Sequence, residues 1–134
     1  MSSSRWIFAV LAALLVSVAC SDNPSGSVAQ GGTLTLRLTT PHTDDGAMTF
    51  AVTGPPIDSV MAVNASLRLF TRRASGGPTI IAVVVGAVAN GAVVTLQVPD
   101  VGAAAGYTAR IVEVADRQDA LRASLAGYAL TVAP

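Results

Sequence analysis

The residues of this chain that could perform acid–base or metal chemistry lie in one short segment. His42 is the only histidine, and Asp44 and Asp45 follow it in the sequence TPHTDDG. An imidazole and two carboxylates are donors that divalent metal ions accept, and a histidine beside an acid could also act as a catalytic base. The spacing matches none of the common metal-ligand motifs, whereas Asp-Asp-Gly is common in turns, where an aspartate side chain accepts hydrogen bonds from its own backbone. We therefore favour a turn and predict no metal site, no cofactor and no enzymatic activity.

Cys20 is the second residue with distinctive chemistry, since it is the only cysteine and has no disulfide partner within the chain. It ends an apolar segment, residues 7–19, which is too short to span a bilayer because spanning takes about 20 apolar residues. A short polar start with one cation, Arg5, precedes this segment. The layout is typical of a secretory signal peptide, so we predict that residues 1–19 are removed on export.

The residues around the cysteine, Val16-Ser17-Val18-Ala19-Cys20, resemble the bacterial lipoprotein signal, in which a small residue precedes the cysteine that becomes lipidated. The chain departs from that family at Ser17, where an aliphatic residue is usual. The resemblance implies that Cys20 is acylated, and Ser21 after it favours the outer membrane or cell surface of the bacterial envelope. The alternative is an ordinary signal peptide cut near Ala19, with Cys20 left as a free thiol.

Size and charge limit what the exported chain can be. About 115 residues remain after residue 19, which suffices for one domain. The formal net charge of the whole chain is zero, with eight cationic and eight acidic residues, so no electrostatic field would attract nucleic acid. We predict a polar, lipidated tether at 20–32, a domain at 33–134, and the membrane as a partner reached through the lipid anchor.

Apolar and polar residues alternate along the domain, as expected for half-buried strands. The continuous aliphatic run at 79–85 suggests a central strand that is covered on both faces. Seven or eight short strands separated by turns predict an all-β, antiparallel β-sandwich. The strands are predicted near 33–39, 48–52, 57–63, 67–69, 79–85, 92–98, 107–114 and 128–132.

Two connections carry local signals of their own. Asn90-Gly91 is a typical hairpin turn ahead of the strand at 92–98. Residues 117–125 contain good helix formers and are followed by Gly127, which could end a helix, although an irregular connection is equally compatible with the sequence.

The segment VTLQVPDVGAAAGYTARIVEV, followed by YALTV, resembles the closing strands of an immunoglobulin-like domain. The resemblance implies a structural corner formed by Asp100 and Tyr107, while Ala109 stands where that family has a cysteine. The earlier segment DDGAMTFAVTGPPIDSV resembles a cohesin-type sandwich. Either resemblance implies a binding or structural module rather than an enzyme.

A possible interaction site follows from Arg72 and Arg73, which precede a Ser-Gly-Gly-Pro loop and could contact an anionic partner. The favoured alternative is a solvated hairpin tip whose charges protect the sheet edge from aggregation. Phe70 is out of phase with Leu67 and Leu69, which makes it the best aromatic contact residue, although a strand buried on both faces would also explain it. The other aromatic residues of the mature chain are expected in the core: Phe50, Tyr107 and Tyr128.

These observations predict a non-enzymatic, envelope-anchored lipoprotein that presents a β-sandwich as an interaction or structural module. A carbohydrate-binding or small-ligand-binding lipoprotein is the alternative, and it would need a concave site. An enzyme that uses His42, Asp44 and Asp45 is the third and least favoured hypothesis.

Overall fold

A computed structural model describes residues 26–134 of the chain. The predicted signal peptide, Cys20 and the first part of the tether lie outside the described residues. Within residues 26–134, no helix combines the length and the apolar character that crossing a membrane requires.

The described residues form eight β-strands and one short 3₁₀-helix, Val101–Gly106, so the predicted all-β class is confirmed. Every predicted strand is present, with ends that differ by a few residues from those expected. The strands are β1 (Gly32–Thr39), β2 (Asp45–Thr53), β3 (Ser59–Ala62), β4 (Arg68–Arg73), β5 (Ile80–Val85), β6 (Gly91–Val98), β7 (Thr108–Asp116) and β8 (Ala129–Ala133).

The strands make two four-stranded antiparallel sheets, which confirms the predicted sandwich. The β1 sheet has the order β3-β6-β1-β8 and the β2 sheet has the order β4-β5-β2-β7. The pairs β1–β8, β2–β7, β3–β6 and β4–β5 are nested, as in a long hairpin that folds over on itself.

The core lies between the sheets and follows the alternation read from the sequence. Leu34, Leu36 and Leu38 of β1 are buried, and they face Met48, Phe50 and Val52 of β2, which are also buried. Because successive side chains of a strand point to opposite faces, each of these strands contributes one complete apolar row to the core.

The predicted hairpin at Asn90-Gly91 is wrong, because β5 and β6 belong to different sheets. The connection instead crosses the sandwich, and the Asn90 side chain holds it by accepting from the Thr40 N–H (2.7 Å) and donating to the Thr40 carbonyl (3.1 Å). A hairpin instead joins β4 to β5 through residues 74–79, next to Arg72 and Arg73 as predicted.

The segment 117–125 is an irregular strap and not a helix. The Asp116 carboxylate accepts hydrogen bonds from the N–H groups of Gln118 (2.9 Å) and Ala120 (3.0 Å), and Asp119 has a positive φ of 65°. A side chain that binds the backbone in this way offers a turn in place of a helix. The strap then runs beside β7, since Leu121 forms a bridge with Ala115.

Candidate functional site

The outer face of the β2 sheet carries large apolar side chains that the domain does not cover. Phe70 on β4 is 60% exposed, Val85 on β5 is 39% exposed and Leu121 on the strap is 64% exposed. Ile81 and Val83 of β5 are half-buried and point to the same side as Phe70, with Val83 directly beside it and Ile81 beside Arg72. We call these five apolar residues the apolar face.

Strand register explains why these side chains are neighbours. Phe70 is paired with Val83, and Val83 is paired with Thr49 of β2. The prediction that the aliphatic run at 79–85 is covered on both faces is therefore wrong, because only the inward residues Ile80, Ala82 and Val84 are buried. For the same reason, a strand buried on both faces does not explain Phe70.

A shallow cleft of about 150 Å³ lies beside the Phe70 ring. Its lining includes Arg72, Ile81 and Val83. Ligand pockets for small molecules usually enclose roughly 300–1,000 Å³, so this cleft is small for such a ligand. A second depression of about 320 Å³ shares Val83 with the first and extends to Leu121 at the other side of the face.

The structure brings together two of the three residues predicted for interaction. Phe70 and Arg72 are two positions apart on β4 and both line the cleft of the outer face. Arg73 is on the opposite side of the strand, where its guanidinium donates to the Ile57 carbonyl at 2.9 Å. Arg73 therefore links β4 to the connection between β2 and β3 instead of joining the apolar face.

A buried polar cluster surrounds Asp45, the first residue of β2 in the same sheet. The Asp45 side chain is inaccessible to solvent and accepts hydrogen bonds from Thr40 Oγ1 (2.6 Å), from Arg122 Nε (3.0 Å) and Nη2 (2.8 Å), and from the Tyr128 hydroxyl (2.9 Å). Arg122 also pairs with Asp44. The turn interpretation is therefore wrong for Asp45, whose carboxylate accepts hydrogen bonds from the side chains of Thr40, Arg122 and Tyr128 and not from its own backbone.

The cluster perturbs the acidity of its members. Burial raises the pKa of Asp45, but hydrogen bonds from Thr40, Arg122 and Tyr128 outweigh burial and leave the pKa below its usual value. Burial is also the main cause of the raised pKa of Tyr128. Both shifts keep Asp45 ionised and Tyr128 protonated near neutral pH, which are the forms that the hydrogen bonds require.

His42, Asp44 and Asp45, whose types could suit a metal ion, are not arranged around a common point. His42 is exposed and its ring lies against that of Tyr128, with 5.8 Å between the ring centroids. Arg122 already supplies the cation that faces both carboxylates. Among residues 26–134, no group of three or more His, Cys, Asp or Glu side chains is placed to hold a metal ion.

Sequence reasoning missed Arg122, which lies 77 positions after Asp45. No local pattern marks it, since it sits in a segment whose composition resembles that of a helix. The one available signal was the Asp44-Asp45 pair itself, because a buried acid next to an apolar strand needs a cationic partner.

Asp100 and Tyr107 lie at opposite ends of the 3₁₀-helix. Asp100 is its N-cap and accepts from the Gly102 N–H at 2.9 Å. Tyr107 is its C-cap, is 6% exposed, and its hydroxyl donates to the Pro56 carbonyl at 2.8 Å. The tyrosine therefore joins the start of β7 to the connection between β2 and β3.

Searches with family models, against curated proteins and against solved structures find no match to this chain. What the site can do is thus read from its own geometry. It offers an exposed apolar surface with arginines at its edge, and its buried acid is fully engaged by hydrogen bonds. This arrangement suits contact with a partner.

Proposed function

We propose that this protein is a non-enzymatic lipoprotein of the bacterial cell envelope whose sandwich presents the apolar face to a partner protein. The apolar face is the observation that supports this proposal. Contiguous exposed apolar patches on soluble domains commonly mark interaction sites, because leaving such a patch in water is unfavourable. Phe70 and Leu121 stand at its two sides, and a partner seated between them would remove both from water.

The carbohydrate-binding or small-ligand alternative has less support. The cleft beside Phe70 encloses only about 150 Å³, and Phe70 is the one aromatic side chain on this face in the part of the chain that the structure describes. Sugar-binding faces commonly present aromatic rings that stack on the sugar. A protein surface can cover the whole apolar face, whereas a sugar would cover only the Phe70 end.

Cross-linking in native envelopes tests the interaction face. A photo-reactive phenylalanine analogue is placed at Phe70 or Leu121, and the matched control places it at Met61, which is 57% exposed on β3 of the other sheet. We expect one defined protein adduct from both positions of the apolar face and none from position 61. Equal adduct patterns from all three positions, or no adduct from the apolar face, would contradict the proposal.

Substitution of the cysteine tests the anchor. Two or three acyl chains should hold the domain on the membrane, because each buried methylene contributes about 0.8 kcal/mol and a single chain gives only marginal attachment. Cys20→Ser should abolish lipid-dependent processing and leave the precursor uncleaved or the domain displaced. Membrane fractionation and the intact mass of the protein expressed in a bacterial host measure this. A wild-type protein that fractionates as soluble with an unmodified N-terminus would show that the anchor is wrong.

A further inference from the structure

Strand β4 is hydrogen-bonded on one side only in the described part of the chain. It pairs with β5, and the Ala74 N–H donates to the Thr79 carbonyl at the hairpin end. Backbone groups alternate in direction along an antiparallel ladder, so those of Leu69, Thr71 and Arg73 point away from β5. These groups form an open edge that can accept another strand.

The side chains at this edge are cationic toward the outer face. Arg68 and Arg72 flank Phe70 on the same side of β4, and the strand contains no acidic residue. Neither arginine forms an ion pair within residues 26–134. An added strand would therefore meet positive, apolar and positive side chains in succession.

A cleft of about 230 Å³ opens on the other side of the same edge, between β4 and β3. Its lining includes Ile57, Val60 and Ile80, together with Thr71. Asp58 and Arg73 also line the cleft. One inward side chain of an added strand, opposite Thr71, would enter this cleft.

We propose that β4 receives an extended acidic segment of a partner protein as a fifth strand of the β2 sheet. Acidic side chains of that segment lie opposite Arg68 and Arg72, an apolar side chain lies opposite Phe70, and an inward apolar side chain fills the cleft at Thr71. Opposite charges directly across a strand pair stabilise it, and like charges destabilise it. A second copy of β4 fits poorly, because antiparallel pairing centred on Phe70 would place Arg68 opposite Arg72.

This inference rests on the proposed function and names the chemistry of its partner. The probe is a blocked peptide, Ser-Glu-Val-Leu-Val-Glu-Ser, and the matched control peptide has lysine in place of both glutamates. Each is titrated into the isotopically labelled, full-length protein as processed by the expression host, and amide hydrogen exchange is followed by NMR. We expect the acidic peptide to protect the amides of Leu69, Thr71 and Arg73, with the lysine peptide binding about tenfold more weakly.

Charge reversal on the protein provides the second arm. Arg68→Glu combined with Arg72→Glu should exchange the preference, so that the lysine peptide binds about tenfold better than the acidic one. Arg110→Glu is the matched control, since Arg110 is exposed on β7, the opposite edge strand of the same sheet, and should leave binding within about twofold. Equal binding of both peptides to the wild type, or binding without protection of the β4 amides, would overturn the proposal. The wild-type comparison decides the matter even when the double variant does not fold.

The two proposals fail in different ways. Cross-links from Phe70 and Leu121 without any peptide selectivity would keep the interaction face and reject the acidic strand. Selective peptide binding at β4 without cross-links in the envelope would support the edge chemistry and reject the apolar face as the contact surface.

Discussion

The two sheets have similar inner faces and very different outer faces. Outward positions of the β1 sheet are mostly polar, and Thr33 on β1 donates to Gln97 on β6 at 3.1 Å. Outward positions of the β2 sheet hold Phe70 and the aliphatic residues of β5. An antiparallel sheet with one face in water normally alternates apolar and polar residues. The β1 sheet follows this rule except at Met61, whereas β5 does not follow it.

This difference distinguishes the residues that folding requires from residues that serve another purpose. Folding requires only that the inner rows be apolar, and both sheets meet that demand. The apolar outer row of the β2 sheet adds little to the core, so its composition calls for a reason outside folding. Contact with a partner is the reason that agrees with its exposure.

The largest effect on stability is expected on the inner face of the β2 sheet, at Phe50, and is compared with that at Phe70 on the outer face. Phe50→Ala should lower the free energy of unfolding by about 3–5 kcal/mol, because the Phe50 ring is completely buried. Phe70→Ala should change it by less than about 0.5 kcal/mol, because Phe70 is largely exposed. Chemical denaturation of the two variants measures both values. A similar loss from each would mean that the outer face belongs to the folding core.

A smaller effect on stability is expected at the Asp45 cluster, which holds the strap 117–125 through Arg122 and so positions the neighbouring Leu121. Asp45→Asn should cost about 3 kcal/mol at neutral pH, since it removes a buried charge that Arg122, Thr40 and Tyr128 all contact. Because folding lowers the pKa of Asp45, the ionised carboxylate stabilises the wild type above about pH 4, and this contribution is lost as the pH falls further. The free energy of unfolding, measured from pH 7 to pH 2.5, should therefore fall more steeply in acid for the wild type than for the variant. Parallel curves would show that Asp45 does not carry the acid sensitivity.

The smallest effect on stability is expected at Tyr107, which joins the start of β7 to the connection between β2 and β3. Tyr107→Phe should cost about 0.5–1.5 kcal/mol, because it removes the hydrogen bond to the Pro56 carbonyl and keeps the ring. Thermal and chemical unfolding report the change, and Tyr128→Phe offers a comparison at the Asp45 cluster. No loss of stability in Tyr107→Phe would show that the ring alone positions β7.

The strands were predictable because their signal is local. Three leucines at alternate positions identify β1 without reference to any other part of the chain. The exposure of the outer face was not predictable from the sequence, since an aliphatic run such as 80–85 has the same composition whether protein covers both faces of the strand or only one. Phe70 was singled out because it is out of phase, yet its exposure depends on the outer face of the β2 sheet being uncovered.

The Asp45 cluster was unpredictable for a different reason. Its members are far apart in sequence, and the helix-forming composition of 117–125 concealed the inward course of Arg122. The helix propensity of this segment is outweighed by the hydrogen bonds that the Asp116 carboxylate accepts and by the ion pair between Arg122 and Asp45. Long-range electrostatic pairing of this kind leaves no periodic trace in one sequence.

The place of β1 between β6 and β8 has a consequence for when the molecule can fold. β1, the first strand of the described residues, has its two neighbours, β6 and β8, only in the last third of the given sequence, and Leu36 is paired with both Val94 and Val132. Such distant pairings are slow to form, because a long loop must close before any contact is gained. The β1 sheet therefore cannot be completed until β8 has been synthesised.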